Sequence, residues 1–567
     1  MSMNDSVWVL APPRAEAGEL SRELGIPLEI AQILANRKIY DPESAHNFLY
    51  GDLNALHNPF LMSGMKEAVE RVQQAVLRRE KILIFGDYDV DGVLSVVMLF
   101  KALESLGAEV GYFIPDRLKE GYGIKEEHAQ ILPQRGIRLV ISVDCGIKAT
   151  EFVKRAKEMG VDVIITDHHR PGPHLPEALA ILNPVLENSG YPDKNLAGVG
   201  VVFKLIQALS QKEGKTYSLP HYLKLVSIGT IADVVALRGE NRLFAKFGMK
   251  GLDSVSNLGL RSLIEICGLK GKRISEGDIG FRIGPRINAA GRMGMTNLAV
   301  RLFFSRSLQE SMEIVRCLDE LNSRRQTTEE RIYNQALVRI HQKALEERYK
   351  FLVLGCEEWH RGVIGIAASK LKDFFHRPVI LFVYEDGKAH GSGRSIPEFP
   401  LIDCLDTCQD LFLSYGGHTQ AIGCILPREN MQSLKQAVNA YADARLRDED
   451  IKKKIVIDTK LDFENIHSAL LESFFLLFPF GVGNPKPIFL TERAEVASNP
   501  QRLQGKHLKF LVKQKGRILE ALGWEKAEWT QHIQRGDTVD LAYSFQISEY
   551  LGEEKLSLNL EDLKKEK

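Results

Sequence analysis

The alternation of short apolar runs with helix-length segments between residues 80 and 170 constrains the fold of this chain most. The runs are Ile82–Phe85, Val110–Ile114, Arg138–Val143 and Val161–Thr166. Strands separated by segments of this length are joined by helical crossovers, which place them side by side in a parallel sheet. The pattern therefore predicts an α/β domain whose strands all end at the same edge of the sheet.

The first of these runs leads directly into the motif DYDVDG at residues 87–92. Three carboxylates within five residues repel one another, and burying them is costly unless a cation lies between them. The same letters open an EF-hand loop, but the twelfth position of such a loop is Met98 here rather than glutamate, and the motif follows a strand rather than a helix. A solvated acidic turn remains the alternative for this motif taken alone.

Two later runs end in further metal-ligand residue types, namely Asp144 and the triplet Asp167-His168-His169. In a parallel sheet these ends meet the acidic motif along one edge, where ligands bind in open α/β folds. Mixed carboxylate and imidazole ligands suit Mn²⁺, with Mg²⁺ as the alternative, and so many anionic groups favour two ions over one. Two ions about 3.5–4 Å apart can activate a water molecule and stabilise the leaving oxygen of a phosphate ester.

The rest of the chain divides into regions of different pattern. Residues 1–75 are predicted to be an N-terminal helical region, and residues 76–305 the domain with the parallel sheet. Residues 306–347 lack Pro and Gly and repeat apolar residues at helical spacing, which predicts a long connecting helix; a surface helical pair within one domain is the alternative. Residues 348–450 alternate strands and helices as a second α/β domain, and residues 451–567 have the β-branched alternation of a small β-barrel.

The chain resembles the DHH phosphoesterase family from about residue 20 to residue 562. The resemblance rests on GDYDVDG at 86–92, SVDCG at 142–146, TDHH at 166–169, GTIADVV at 229–235, IGPRINAAGR at 283–292, GSGRS at 391–395 and GGH at 416–418, which occur in the family's order with similar spacing. It implies an α/β fold with a parallel-sheet DHH catalytic domain, a long connecting helix, a second α/β DHH-associated domain and a C-terminal OB-like β-barrel.

The resemblance also implies a set of metal ligands. They are Asp89, Asp91, Asp144, His168 and Asp233. Asp87 and His169 lie in the same cluster, where they bind the second ion, shape its surroundings or contact the scissile phosphate. Without the resemblance, Asp233 in its apolar stretch fits a capping or ion-paired role equally well.

Within the family, the chain is similar to the bacterial single-stranded-DNA exonucleases. That similarity implies a pocket for a terminal 5′-phosphate, with Arg117, Arg286, Ser392 and Arg394 as its candidates, because guanidinium and backbone amide groups bind phosphate. His418 of the GGH motif is implied to contact the substrate. From the residues alone, a common Gly-Ser-rich turn and a structural histidine are the alternatives.

The last domain interleaves basic residues with aromatic ones, and Lys506, Lys509 and Phe510 are its predicted DNA-binding residues. Charge and base stacking together bind single strands without sequence preference. A solvated basic hairpin on an unrelated barrel is the alternative. The OB fold that the resemblance implies favours DNA binding.

Together with the metal-ligand pattern, the resemblance implies a metal-dependent 5′-to-3′ exonuclease that degrades single-stranded DNA to mononucleotides by two-metal hydrolysis, in DNA repair and recombination. The alternatives are another DHH phosphodiesterase, acting on short oligonucleotides or cyclic dinucleotides, and a non-catalytic scaffold. The resemblance implies single-stranded-DNA-binding protein and a RecQ-type helicase as partners. Lys plus Arg and Asp plus Glu balance at 74 each, so DNA binding needs a local basic surface. No secretory signal, long apolar stretch or C-x-x-C pair occurs, which predicts a cytoplasmic protein without a membrane span or zinc ribbon.

Overall fold

The structure is a computed structural model that describes residues 6–566 except 117–119, 121–122, 214–218 and 551–552. Its strands are β1 (Val7–Leu10), β2 (Lys81–Gly86), β3 (Glu109–Phe113), β4 (Ile137–Val143), β5 (Asp162–Thr166), β6 (Ala180–Leu182), β7 (Leu352–Cys356), β8 (Val379–Glu385), β9 (Lys388–Arg394), β10 (Ser414–Gly417), β11 (Ala421–Pro427), β12 (Lys454–Ile457), β13 (Thr459–Lys460), β14 (Phe489–Val496), β15 (Gln501–Leu503), β16 (His507–Gln514), β17 (Arg517–Gly523), β18 (Thr538–Tyr550) and β19 (Glu553–Lys565).

Its α-helices are α1 (Ala15–Leu24), α2 (Leu28–Asn36), α3 (Pro42–Tyr50), α4 (Met65–Leu77), α5 (Val90–Ser105), α6 (Ile131–Arg135), α7 (Thr150–Glu158), α8 (Gly198–Glu213), α9 (Leu219–Ala232), α10 (Gly239–Gly248), α11 (Leu258–Ile266), α12 (Glu276–Asp278), α13 (Gly284–Arg292), α14 (Thr296–Phe304), α15 (Leu308–Gln342), α16 (Leu345–Arg348), α17 (Ile364–Phe375), α18 (Leu401–Asp406), α19 (Met431–Arg445) and α20 (Ser468–Leu476). Among the described residues, none of these helices combines the length and the apolar composition that a membrane span requires.

The described residues form two compact units. One contains the described parts of Met1–Leu56, Ala236–Leu243 and Lys453–Lys567, and the other contains those of His57–Val235 and Phe244–Lys452. The N-terminal helices and the C-terminal strands therefore belong to one unit. The two α/β domains belong to the other.

The parallel sheet predicted for residues 80–170 is present, with strand order β3-β2-β4-β5-β6 and every pairing parallel. Strands β2, β4 and β5 are nearly continuous apolar runs, as is typical of strands with both faces covered by helices. Gly86 lies opposite Val143, and Val143 lies opposite Thr166. These three strands therefore end in register, and the residues that follow them start from one edge. The three-residue strand β6 was not predicted.

The predicted connecting helix is confirmed as α15, a single helix of 35 residues. Near its start, Ser311 bonds to Ser262 and Asp319 pairs with Arg286, so this part belongs with the DHH domain. Further along, Ile332 and Ile340 pack into the second α/β domain. The helix thus joins the two α/β domains of its unit.

The second α/β domain has the strand order β10-β11-β9-β8-β7, in which β7 and β8 are parallel and the other pairings are antiparallel. Successive residues of β8 enter opposite cores, because side chains alternate across a sheet. Ile380 and Phe382 pack into one core, and Leu381 and Val383 pack into the other. The sheet is therefore covered on both faces.

The other unit has a two-stranded parallel sheet of β1 and β12 and a seven-stranded sheet of order β13-β14-β18-β19-β17-β16-β15. Because β14 pairs with both β18 and β16, five strands form a closed cycle of pairings, which agrees with the predicted OB-like arrangement. Its core also contains Leu20, Ile30 and Leu49 from α1, α2 and α3. The N-terminal helices and the OB-like sheet thus share one hydrophobic core.

Candidate metal centre

The loop after β2 carries Asp87 and Asp89 and leads directly into α5. Asp89 caps that helix, since its carboxylate accepts a hydrogen bond of 3.1 Å from the Gly92 amide. A Cβ atom at position 92 would lie 2.5 Å from the Asp87 carbonyl oxygen, so the loop can fold back this tightly only with glycine there. The result is a compact acidic loop at a helix N-terminus, where the helix dipole favours negative charge.

Asp91, in the first turn of α5, is held by the N-terminus of a second helix. Its two carboxylate oxygens each accept a hydrogen bond of 2.7 Å, one from the Gly198 amide and one from the Val199 amide at the start of α8. Burial raises the pKa of Asp91 to about 7, and the charge of Asp89 contributes to the rise, against the effect of the two amides. Asp91 therefore joins the acidic loop to α8.

Asp144 follows β4 with a left-handed backbone, at a φ of 59°. Its amide donates a hydrogen bond of 2.9 Å to the Thr166 carbonyl at the end of the neighbouring strand. Its carboxylate lies against Gly198, where a Cβ atom would be 2.7 Å from Oδ1. The end of β4 and the start of α8 thus meet at this side chain.

The triplet after β5 is organised by its first residue. Asp167 Oδ1 accepts hydrogen bonds from the amides of His168 and His169 and lies 2.8 Å from His169 Nδ1, while Oδ2 accepts one from the Ile147 amide. Burial alone would raise the pKa of Asp167 and lower that of His169, but the hydrogen bond between these side chains reverses both shifts. Asp167, which the sequence prediction did not include among the site residues, therefore positions His169.

His168 and Asp233 complete the cluster. His168 Nε2 lies 3.2 Å from Asp144 Oδ1, 3.6 Å from Asp233 Oδ2 and 3.9 Å from Asp91 Oδ2. Burial lowers the pKa of His168 to about 4, and its ring also bonds to the Leu196 backbone, so a neutral ring directs a lone pair into the cluster. Asp233 follows α9, and its amide donates to the Gly229 carbonyl.

The acidic and imidazole side chains form three overlapping groups whose ligand atoms lie within 4.8 Å of one another. The groups are Asp87, Asp89 and Asp144; Asp144, His168 and His169; and Asp91, His168 and Asp233. Among the described residues, no hydrogen-bond partner serves the buried atoms Asp144 Oδ1, His168 Nε2 and Asp233 Oδ2. Such buried polar atoms are costly unless something ligates them.

The donor set fits divalent cations. Burial raises the pKa of Asp144 and of Asp233 well above the usual range, and neighbouring carboxylates raise both further. Cations among these groups would stabilise the ionised forms, so metal binding and ionisation are coupled. Carboxylates with imidazole suit Mn²⁺ or Mg²⁺, and overlapping groups that share Asp144 and His168 can hold two ions.

Two residues of the motif IGPRINAAGR contact the acidic loop and the start of α5. Asn288 Oδ1 accepts a hydrogen bond of 3.0 Å from the Val90 amide at the start of α5. Gly291 lies against Tyr88, where a Cβ atom would be 2.6 Å from the carbonyl oxygen. Neither residue was assigned from the sequence. The signal that could have indicated them is the Ala-Ala-Gly run inside a helix, which is typical of close packing.

Of the predicted phosphate-binding residues Arg117 and Arg286, the structure describes only the second. Arg117 lies outside the described residues. Arg286 forms an ion pair of 2.8 Å with Asp319 and donates a hydrogen bond to the Arg282 carbonyl. Its guanidinium is therefore anchored to α15.

Ser392 and Arg394 lie together on β9, with Arg394 Nη1 3.3 Å from Ser392 Oγ. Both border Gly365 in the first turn of α17, where a Cβ atom would be 2.8 Å from Ser392 Oγ and 3.1 Å from Arg394 Nη2. A guanidinium and a hydroxyl beside a helix N-terminus make an anion-binding arrangement. His418, between β10 and β11, lies near the triplet: burial lowers its pKa, and the charges of Lys148, His169 and Arg170 lower it further.

The predicted DNA-binding residues of the OB-like sheet face different ways. Lys506 is exposed, and Lys509 pairs with Glu520 at 2.9 Å. Phe510 is 2% exposed and lies in the core, because side chains alternate along β16, so its ring has no face for a base. Trp524 is 52% exposed and packs edge-on against His507, which follows Lys506 in the chain.

Three family models match the chain. The DHH family N-terminal domain matches residues 81–230, the DHHA1 domain matches residues 348–444, and the RecJ OB domain matches residues 457–562. They coincide with the parallel-sheet domain, the second α/β domain and the OB-like sheet. The family descriptions therefore agree with the architecture.

Curated relatives and solved structures extend the similarity to most of the chain. It is 38% identical over 97% of its length to the single-stranded-DNA-specific exonuclease RecJ of Bacillus subtilis, of which it covers 70%. It is 32% identical over 88% of its length to the protein of that name from Escherichia coli, of which it covers 90%. The crystal structure of RecJ with Mn²⁺ from Thermus thermophilus matches with a TM-score of 0.84 and 30% identity, covering 100% of this chain and 80% of that one.

Proposed function

Because the chain belongs to the RecJ family of DHH phosphoesterases, we propose that it is a metal-dependent 5′-to-3′ exonuclease that degrades single-stranded DNA to mononucleotides, in DNA repair and recombination. The observation that supports this most is the convergence of three strand ends and α9 on buried ligand atoms of Asp144, His168 and Asp233 that have no hydrogen-bond partner among the described residues. Such a cluster is suited to phosphodiester hydrolysis by two metal ions.

In this proposal, Asp89, Asp91, Asp144, His168 and Asp233 hold the ions, and Asp87 and His169 complete the cluster. When bound, two divalent ions supply an activated water and a counter-charge for the leaving oxygen. Asp167 fixes His169 through Nδ1 and raises its pKa, so that the ring can donate a hydrogen bond to a phosphate oxygen of the strand. The amides of Gly198 and Val199 keep the Asp91 carboxylate in place.

The 5′-to-3′ direction of digestion would follow from an anion-binding pocket that accepts the end of a DNA strand. Ser392 and Arg394, beside the start of α17, are proposed to bind the terminal 5′-phosphate, with Arg117 and Arg286 as further members and His418 contacting the strand between pocket and metals. A DNA strand that continued beyond the bound phosphate would need a second opening in this pocket. The enzyme would therefore begin at a 5′ end.

The OB-like sheet is proposed to supply affinity for the strand. Lys506 and Lys509 offer charge, and Trp524 offers an exposed ring for stacking, whereas Phe510 supports the sheet from inside. The proposed domain boundaries remain 1–75, 76–305, 306–347, 348–450 and 451–567. Single-stranded-DNA-binding protein and a RecQ-type helicase are the proposed partners, and the cytoplasm is the proposed location because the DNA substrate is there.

The test is digestion of long single strands that are labelled at either end, with Mn²⁺, Mg²⁺ or a chelator. We expect metal-dependent release of labelled mononucleotide from 5′-labelled strands at once, and from 3′-labelled strands only late. Preference for dinucleotides or cyclic dinucleotides over long strands would favour another DHH phosphodiesterase. An inactive protein that still binds strands would favour the scaffold alternative.

A further inference from the structure

Two basic residues lie in the loops that carry candidate metal ligands. Lys148 lies in the loop after β4, and Arg170 directly follows the triplet after β5. Both side chains are exposed, and neither forms an ion pair within the described part of the chain. Lys157, further along α7, instead pairs with Glu177 at 3.0 Å. Two cations beside the metal centre are therefore left for an anion from outside the protein.

The buried carboxylate of Asp167 holds the two loops together. Its Oδ2 accepts a hydrogen bond of 2.9 Å from the Ile147 amide, and its Oδ1 accepts one of 3.0 Å from the His169 amide. Each of these amides belongs to the residue directly before one of the two cations. The loops also lie close together, because a Cβ atom on Gly172 would be 3.9 Å from Lys148 Cγ. The backbones that carry the cations are therefore fixed before any ligand binds, which lowers the entropy cost of binding.

His418 of the second α/β domain lies near both cations, within the same compact unit. Burial lowers the pKa of His418, and the positive charges of Lys148, His169 and Arg170 lower it further. Like charges that are gathered in one place repel one another, and an anion placed among them reverses this effect. The group is therefore suited to a negatively charged ligand.

We propose that Lys148 and Arg170 bind the backbone phosphate that directly follows the scissile bond of the DNA strand. The inference rests on the proposed function, in which the 5′-phosphate lies in the pocket of Ser392 and Arg394 and the scissile phosphate lies at the metals. The first nucleotide is flanked by these two phosphates alone. Cations outside both positions therefore have only the following phosphates to bind, and the first of these lies nearest to the metal centre.

A preference for longer substrates would follow from this site. A 5′-phosphorylated dinucleotide has one phosphate for the pocket and one for the metals, but none for Lys148 and Arg170. A trinucleotide has one for each position. Arginine binds phosphate through two parallel hydrogen bonds and lysine acts as a point charge, so neither reads the bases. The site would thus favour longer strands of any sequence over dinucleotides.

The experiment compares kcat/KM for a 5′-phosphorylated trinucleotide with kcat/KM for the matching dinucleotide, in the presence of Mn²⁺. Lys148→Gln and Arg170→Gln should each lower the ratio of the two values about tenfold, near the lower end of what a hydrogen bond to a charged group contributes. Lys157→Gln is the matched control, because it removes the same charge from an exposed position that Glu177 already neutralises. It should leave the ratio within about twofold. Lys148→Arg should keep most of the ratio, because it retains the charge.

Salt dependence provides a second measurement. Each cation that binds a phosphate of a single strand adds about 0.7 to the slope of log affinity against log salt concentration. The slope for kcat/KM on a long single strand should therefore fall by about 0.7 in Lys148→Gln and in Arg170→Gln, and stay unchanged in Lys157→Gln. A merely less stable variant would not change this slope, and melting measured alongside checks that each variant is folded.

Two results would overturn the site while leaving the proposed nuclease in place. Both variants could keep the ratio and the salt slope of the unaltered protein. Alternatively, they could lose as much kcat/KM on the dinucleotide as on the trinucleotide, which would place the cations at one of the first two phosphates. If the unaltered protein hydrolyses neither long strands nor these short substrates with Mn²⁺ or Mg²⁺, the proposed function itself is wrong, and the site falls with it.

Discussion

Replacement of Gly198 by alanine, at the start of α8, should disrupt the metal centre that the N-terminus of this helix contacts. The Gly198 amide donates to Asp91 Oδ2, while an added Cβ atom would lie 2.7 Å from Asp144 Oδ1 and 2.8 Å from Asp144 Cβ. Asp144 has little room to retreat, because its backbone is left-handed and its amide is bonded to Thr166. The methyl group must therefore displace either the Asp144 carboxylate or the start of α8.

The size of the effect follows from the overlap. Ordinary Cβ contacts begin at 3.4 Å, so the closest contact, at 2.7 Å, is too short by 0.7 Å. Functional groups must be held within about 0.5 Å, and a misplacement of about 1 Å can lower a rate on the order of 10²-fold. If α8 moves instead, the hydrogen bonds to the Asp91 carboxylate weaken, each worth about 1.5–3 kcal/mol. We expect kcat to fall on the order of 10²-fold.

The assay is the initial rate of nucleotide release from a saturating single-stranded oligomer at fixed Mn²⁺, with melting measured alongside. Gly200→Ala is the control on the same helix, because its Cβ atom would meet Phe244 and Leu196 at ordinary distances of 3.5 and 3.6 Å. It should keep its rate and gain up to about 1 kcal/mol of stability, since alanine favours a helix. If Gly198→Ala keeps more than half of the normal rate, or Gly200→Ala loses as much activity as Gly198→Ala, the contact between Gly198 and Asp144 does not govern catalysis.

Four further predictions concern the ligands and the substrate. Asp144→Asn should abolish hydrolysis while melting stays cooperative, because two ligand groups share this carboxylate; metal-dependent activity in the variant would place the site elsewhere. Arg394→Ala should weaken binding of 5′-phosphorylated strands by about 1.5–3 kcal/mol more than that of 5′-hydroxyl strands, and equal losses would contradict the pocket. Trp524→Ala should cost about 1–3 kcal/mol of strand affinity, whereas Lys506→Ala should reduce its salt dependence; titrations that show neither change would exclude this surface. A chelator should lower the melting temperature and Mn²⁺ should restore it, and melting unaffected by metal would argue against a structural coupling.

The residue types that gather at the edge of the first sheet could be predicted from the amino-acid sequence. Asp87, Asp144 and His168 each follow an apolar run, and parallel strands end at one edge whatever their exact spacing. The connecting helix was equally readable, since residues 306–347 contain neither Pro nor Gly. Both predictions depend only on local sequence patterns and on the rule that parallel strands end at one edge of a sheet, so the sequence was sufficient for them. Asp233 was different, because it follows a helix, and the family resemblance was needed to single it out.

The directions in which Phe510 and Trp524 face could not be predicted in this way, because a shift of one residue along a strand reverses the side chain and the basic-aromatic pattern allows either register. Contacts between distant segments also required the fold. The closeness of Gly198 to Asp144, the role of Asp167 and the shared core of α1 with the OB-like sheet all arise from packing between parts of the chain that are remote in sequence. The hydrogen bond from the Leu237 amide to the Val482 carbonyl is of the same kind, because the two residues are far apart in the chain. Local sequence patterns do not determine these contacts, because many tertiary packings are compatible with the same periodicity.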